Sequence, residues 1–426
     1  MRNRIQPTLL WATLWLMLDW SAPGAPGVKP ILVYYLAWYA APPHSPEWGW
    51  HWTMNRFQPD RTNALGEREI ASWYQPQIGP YDSSDPAVLE YHTLLLRLAG
   101  ADGVVVGWFG PEKVHDYAQI DQRLQKLIPF LERAGLKLAL CYEDRSLQEF
   151  QDARPAESSA AERAVQALQY AERQYFGLPL YFRWQERPVL LNFGPQVLRN
   201  PGDWPRVLEA LSSRPALLTI DTPVPGAVGA FAWPPMWLSQ APGAGGVLSG
   251  TALQRYLTQF EKAAMTWPVS ISTAFPRFHD IHPRAGARAY WGYLGDRGGV
   301  TFRETLRRAL TNATSMALIA TWNDFGEGTQ IEPTREFGSR DLEVLRELRR
   351  AHGDPTLPGT ADAFELVLRL YQLRRAAHGD PAIGAALDEI AADLAGFRCE
   401  RARSRLAALS SNEKPTTDSA GQNRTP

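Results

Sequence analysis

The chain has 426 residues, of which 45% are hydrophobic and 21% charged, a balance that supplies a packed core and excludes a disordered polymer. A formal net charge of −1 excludes general attraction to nucleic acid or to an anionic membrane surface. The 2 cysteines, Cys141 and Cys399, form neither a disulfide framework nor a zinc-binding spacing.

The N-terminus carries Arg2 and Arg4, an apolar stretch over 9–18 and a small-residue exit over 21–27. This is the pattern of a secretory signal over 1–24, cleaved near Gly24, and too short for a comfortable membrane span. It predicts a secreted or periplasmic protein, with an uncleaved anchor as the alternative.

Eight apolar runs follow: 31–38, 103–109, 137–143, 188–193, 216–221, 228–233, 268–275 and 316–322. They lack polar alternation, as strands do when both faces are covered. Helix-period segments separate most of them, at 85–101, 120–135, 161–176, 251–265 and 302–314. Asp85 before Pro86 is a ready helix cap. The link between the fifth and sixth runs is too short for a helix. Eight strands alternating with helices predict an α/β fold, a (β/α)8 TIM-type barrel over 25–352. Two Ala- and Leu-rich segments, 361–377 and 381–408, predict a helical extension over 353–409. A polar tail over 410–426 has the composition of disorder.

In such barrels the C-terminal ends of the strands carry the chemistry. Just past the runs stand Tyr35, Trp38, Trp108, Glu143, Asn192, Asp221, Trp233, Phe275, Arg277, His279, Asn323, Asp324 and Glu327. Aromatic rings and carboxylates recurring on one rim suit a sugar, which is apolar on its faces and polar at its edges. Two carboxylates are also the usual requirement for glycoside hydrolysis, one donating a proton and the other assisting attack at the anomeric carbon. The bland alternative has Asp324 capping the following segment and Glu327 pairing with an arginine. His279, Asp280 and His282 in PRFHDIHP could suggest a metal, but no partner cluster accompanies them, and substrate contact or loop structure is the better reading. No metal or other cofactor is expected.

The stretch TWNDFGEGTQIEP (321–333) resembles the signature of glycoside hydrolase family 99, approximately S/T-x-N-E-W-x-E-G-T-x-I-E. YQPQIGPYDSSDPAVLEYH (74–92), YYLAWYAAP (34–42) and CYEDR (141–145) are similar to further segments of that family, in family order. The resemblance implies an endo-acting, retaining α-mannosidase or α-mannanase barrel without a metal, acting on an oligosaccharide or polysaccharide. It implies Glu327 as acid/base and Asp324 at the position of the second catalytic glutamate, the base toward the substrate's 2-hydroxyl, through a 1,2-anhydro sugar. Glu143 would line the pocket. Tyr35, Trp38, Tyr81, Trp108, Asn192, Asn323, Trp233 and His279 are expected to contact substrate. The chain departs from the pattern at Asp324, Phe325 and Gly326. Aspartate reaches about 1.3–1.5 Å less than glutamate, and a misplacement of about 1 Å can cost on the order of a hundredfold in rate. A backbone drawn inward, a different substrate, weak catalysis or a carbohydrate-binding barrel would each accommodate the change.

Overall fold

A computed structural model describes residues 28–153, 158–358, 362–377 and 381–412. The proposed signal and nearly all of the polar tail lie outside the described residues. Eight parallel strands close on themselves: β1 (Ile31–Tyr35), β2 (Gly103–Trp108), β3 (Lys137–Tyr142), β4 (Arg187–Asn192), β5 (Ala216–Ile220), β6 (Gly229–Phe231), β7 (Val269–Ala274) and β8 (Met316–Ile319). β1 pairs with both β2 and β8, and β3 pairs with β4, which completes the (β/α)8 barrel.

Each strand gives one face to the lumen and one to the surrounding helices. Leu32, Val105, Ala139, Leu191, Leu218, Phe231, Ile271 and Leu318, one from every strand, pack together as the filled interior. The alternate residues, such as Val33, Val104 and Leu140, face the helices. These include α1 (Pro86–Ala99), α2 (Tyr117–Ala134), α3 (Ala160–Ala171), α4 (Asp203–Glu209), α5 (Gly250–Ala264), α6 (Val300–Thr311) and α7 (Arg340–His352). The β5–β6 link contains no helix, since the eight residues 221–228, with two prolines, leave no room for one. α4 follows β4 where the sequence gives only a weak helical period, because a single turn pair buries just Trp204 and Val207.

Three further helices, α8 (Ala363–Ala376), α9 (Pro381–Ala395) and α10 (Cys399–Asn412), form the C-terminal extension. α8 lies against α1, where Arg374 forks onto Glu90 at 2.9 Å and Arg375 reaches the capping Asp85 at 2.8 Å. Residues 36–85, between β1 and α1, fold over the barrel mouth around a small core of Tyr39, Trp52, Ile70, Tyr81 and Phe325.

The helical layer on β2 is organised by one buried acid. Asp121 on α2 accepts from Trp108 Nε1 at 2.8 Å, Gln125 Nε2 at 2.9 Å, Tyr170 Oη at 2.6 Å and Tyr175 Oη at 2.5 Å. Removing a shared acceptor strands buried donors, each costing about 1–3 kcal/mol. Asp121→Ala is therefore expected to destabilise the fold by about 3 kcal/mol or more, and Asp121→Asn by less. Denaturant unfolding measures both, and a parent-like midpoint for Asp121→Ala would show that these bonds are replaced by water at no cost.

Candidate active site

The turn after β8 is held before any substrate arrives. Asn323 is fully buried and accepts from Leu36 N at 2.9 Å, while its Nδ2 donates to Leu36 O at 2.9 Å and to Tyr81 Oη at 3.1 Å. Tyr39 Oη donates to Asn323 O and accepts from Phe325 N. Asp324 N donates to Thr321 Oγ1 at 2.8 Å, and Thr329 N to Asp324 O at 3.2 Å. Gly328 closes the turn with φ of +67°, and a Cβ there would stand 3.0 Å from His279 O. Both the sign of φ and the neighbouring strand call for glycine. The loop after β7 lies directly alongside, with His279 N donating to Glu327 O at 2.7 Å and Ile281 N to Gly326 O at 3.0 Å.

On this turn Asp324 and Glu327 receive different environments. Asp324 is 8% exposed, and its Oδ1 accepts from Glu327 N at 2.8 Å. Burial, and then the charge of Glu327, push its carboxyl up to about 8, against the hydrogen bond from Glu327 N and the charge of Arg288. Glu327 is more open, with 21% of its side chain exposed, and its Oε1 accepts from Arg288 Nη2 at 2.6 Å. The bland local roles, a cap and an arginine pair, are therefore both present. They coexist with carboxyl groups placed at the strand ends, and they define the resting state of the pair.

Glu143, half-buried past β3, accepts from Tyr34 Oη at 3.0 Å. Burial, with the charges of Asp144 and Glu327, pushes it up to about 8. Glu327 is thus near enough to act on Glu143, and the two share one end of the barrel. Tyr34 also meets Trp233 edge to face at 4.9 Å, and Trp233 meets Phe193 at 5.0 Å, forming an aromatic wall on the mouth. Trp38 lies at the same end, stacked on His51 at 3.9 Å. His279 packs flat on Trp73 at 4.4 Å and its Nδ1 meets Tyr74 Oη at 3.1 Å.

Several expected contacts sit elsewhere. Tyr35 faces the helices, where its hydroxyl meets His92 Nδ1 at 2.9 Å; Tyr34, one residue earlier, is the lumen-facing tyrosine. Trp108 is likewise turned outward onto Asp121. Asn192 is aligned with the outward-facing Tyr142 and is fully buried. Tyr81 donates to the buried Glu332 at 2.7 Å and supports the turn from below, and the amide of Asn323 is wholly engaged by protein. Asp221 is taken by Tyr256, and Arg277 by Asp341 and Gln330 O. Two site residues, Tyr34 and Arg288, are not singled out in the sequence, and His282 is read there only as part of PRFHDIHP, in substrate contact or loop structure. Tyr34 is adjacent to a selected residue and differs only in face. Among the described residues no group of three or more His, Cys, Asp or Glu side chains is arranged to hold a metal. A cavity of about 490 Å3 lined by Glu90, Leu94, Phe130 and Ala391 lies on the outer wall, remote from these carboxylates.

No family model matches the chain. A segment is similar to the glycoprotein endo-alpha-1,2-mannosidase-like protein of Danio rerio, 29% identical over 103 residues, 22% of this chain and 23% of that protein. The match thus spans about a quarter of that relative's length. The fold is similar to that of the GH99 endo-alpha-mannosidase from Bacteroides thetaiotaomicron in complex with bis-tris-propane, with a TM-score of 0.57, 17% identity and coverage of 76% of this chain and 98% of that one. A second structure of the same enzyme gives 0.55 at 18% identity, with the same coverage. A glycoside hydrolase-like protein gives 0.53 at 12% identity, over 76% of this chain and 94% of that one. The fold is therefore similar to the barrels of these glycoside hydrolases.

The raised carboxyls have a thermodynamic consequence. Between about pH 4, where free carboxylates titrate, and about 8, the folded chain holds protons on Asp324 and Glu143 that the unfolded chain has released. Stability contributed by these groups is therefore present at low pH and lost as pH rises through that window. Asp324→Asn and Glu143→Gln are expected to raise the melting temperature by about 2–5 °C at pH 8 and by less at pH 5. A gain independent of pH would show that the carboxyls titrate normally.

Proposed function

We propose that the protein is a glycoside hydrolase acting on an α-linked, α-mannan-like glycan with retention. Glu327 is the acid/base, and Asp324 is the base toward the sugar 2-hydroxyl. The observation that carries this reading is the carboxylate pair on a fully clamped turn at the C-terminal mouth of a family 99-like barrel. The names of the similar proteins, endo-acting α-mannosidases, support the substrate class. The basic and then apolar start supports export, to the periplasm or outside the cell.

The geometry gives each group a task. Glu327 is open enough to reach a leaving oxygen and later to take a proton from water. Asp324 is enclosed, so a hydroxyl beside it would meet a carboxylate with little competing water. Glu143, Tyr34, Trp38 and Trp233 line the same end and supply an edge of polar groups with aromatic faces. In the resting protein Arg288 occupies Glu327, so entering substrate displaces that contact or the glutamate shifts along it.

A second reading, a carbohydrate-binding barrel with little or no turnover, is favoured by one observation. Asp324 already spends Oδ1 on capping Glu327 N, and its short side chain is anchored there. Kinetics separates the two. With α-mannans as substrates, Glu327→Gln is expected to lower kcat by about 10²–10⁴-fold while leaving oligosaccharide binding nearly intact. Asp324→Asn is expected to be equally damaging. Asp324→Glu keeps charge and adds reach: higher activity would show that aspartate falls short, and lower activity that the pocket is built around it. Parent-like turnover by all three variants, or no turnover of any α-mannan or α-glucan by the parent, would leave binding as the function.

A further inference from the structure

His282 opens a short turn in the loop after β7 and is tied to a buried acid. Its Nδ1 lies 2.7 Å from Asp280 Oδ1, which also accepts from His282 N at 3.0 Å. Asp280 Oδ2 accepts from Trp291 N at 3.2 Å, and the Asp280 side chain is 0% exposed. A carboxylate on Nδ1 fixes that nitrogen as the donor and leaves Nε2 with a free lone pair. Nε2 has no hydrogen-bond partner among the described residues, and the ring remains 12% exposed.

Gly326 sets where that ring stands. A Cβ at this position would lie 3.1 Å from His282 Cε1, the carbon between the two ring nitrogens, and 3.4 Å from Asp324 Oδ1. The histidine edge and the aspartate oxygen therefore flank one small space that the glycine keeps open. Other groups face His282 as well. Arg288 stands 3.6 Å from Asp280 Oδ1 and pairs with Glu327, while His51 is close enough for the charge of His282 to lower its proton affinity. Asp116 lies behind His51 at 3.5 Å.

We propose that His282, aligned by Asp280, is the proton acceptor that keeps Asp324 ionised for turnover. The inference rests on the glycosidase reading above. The enclosed Asp324 carboxyl otherwise retains its proton at neutral pH and cannot act as a base. In the activating step the proton leaves Asp324 and binds His282 Nε2, giving a carboxylate and an imidazolium that Asp280 balances. Asp324 then takes the proton of the sugar 2-hydroxyl as that oxygen bonds to the anomeric carbon. Glu327, released from Arg288 as substrate enters, takes a proton from water; the bond from the anomeric carbon to the leaving oxygen then breaks, and the oxygen takes that proton from Glu327. Water next attacks the anomeric carbon and gives a proton to Glu327, while the 2-oxygen recovers its own from Asp324. The net change is addition of water across the glycosidic bond. His282 acts through Asp324 and is a positioning residue.

His282→Asn keeps an amide N–H for Asp280 but lacks Nε2, and Asp280→Asn keeps the ring while loosening its alignment. Rates on α-mannan across pH 5–9 are the readout. For His282→Asn the rise of kcat with pH is expected to move upward by about one unit, with kcat at pH 7 down about 10–100-fold and KM unchanged. Asp280→Asn should fall between this variant and the parent. Added imidazole should restore part of the activity of His282→Ala, a rescue that a merely structural role would not allow. An unmoved pH limb together with no imidazole rescue overturns the relay. If Glu327→Gln is inactive and His282→Asn matches the parent, the relay alone falls and the glycosidase reading stands. If the parent cleaves no α-mannan or α-glucan, both fall together.

Discussion

The site depends on the bond pair between Asn323 and the backbone of Leu36. An amide that satisfies both the N–H and the C=O of one residue acts like a short piece of sheet, extending the β1–β8 pairing past the strand ends. Buried backbone groups at a strand terminus must be satisfied somehow, and here the partner comes from the chain that immediately carries Asp324 and Glu327. The mouth-covering segment then bonds to the same point through Tyr39 and Tyr81, so barrel closure, lid packing and carboxylate placement share one anchor. Loss of the amide would strand two buried backbone groups and release the turn in the same event.

That arrangement also explains why the pair is asymmetric. The turn is drawn so tightly into the barrel end that Asp324 is enclosed, while three residues later the chain is already rising toward solvent. Burial disfavours the charge on the first acid, while the second lies against the arginine of the neighbouring loop. Two carboxyls in unlike surroundings within one cleft are what acid–base work needs. The resting order, however, has the proton on Asp324 and an arginine on Glu327. A glycosidase built this way must rearrange charge when substrate enters, and the loop after β7, which carries Arg288, Asp280 and His282 together, is the element that can do so.

The barrel was legible because its signal is redundant. Eight apolar runs and the helical periods between them state the same repeat many times over, and all eight runs form strands. The carboxylate turn was legible for a different reason: Asn323, Asp324 and Glu327 sit together within five residues, between a strand and a glycine. What sequence could not resolve was the face of each strand. A run such as ILVYYLAW is apolar on both sides, so nothing in it tells Tyr34 from Tyr35, and a shift of one residue exchanges lumen for helix layer. Trp108 and Asn192 are turned outward by the same ambiguity. Arg288 and His282 were hidden more deeply, since a loop has no period from which the direction of a side chain can be read. PRFHDIHP did mark the right neighbourhood, although the meaning of its histidines depends on contacts with a turn more than forty residues away.

The shortened aspartate is best understood together with its neighbours. A glutamate at 324 would need space that Gly326 and the His282 ring now share, and a side chain at 326 would press on both His282 and Met54 at 3.1 Å. Close-packed interiors transmit such changes, so the three positions form one unit in which any single enlargement displaces the other two. The loss of reach at Asp324 and the approach of the histidine therefore describe one rearrangement of the cleft. Gly328 restricts it further, because a Cβ there would stand 3.0 Å from His279 O and leave no room for a larger residue on that side. Substrate specificity in this barrel should accordingly follow the loop after β7 as much as the carboxylate turn, since the two are bonded along their backbones and cannot move apart independently.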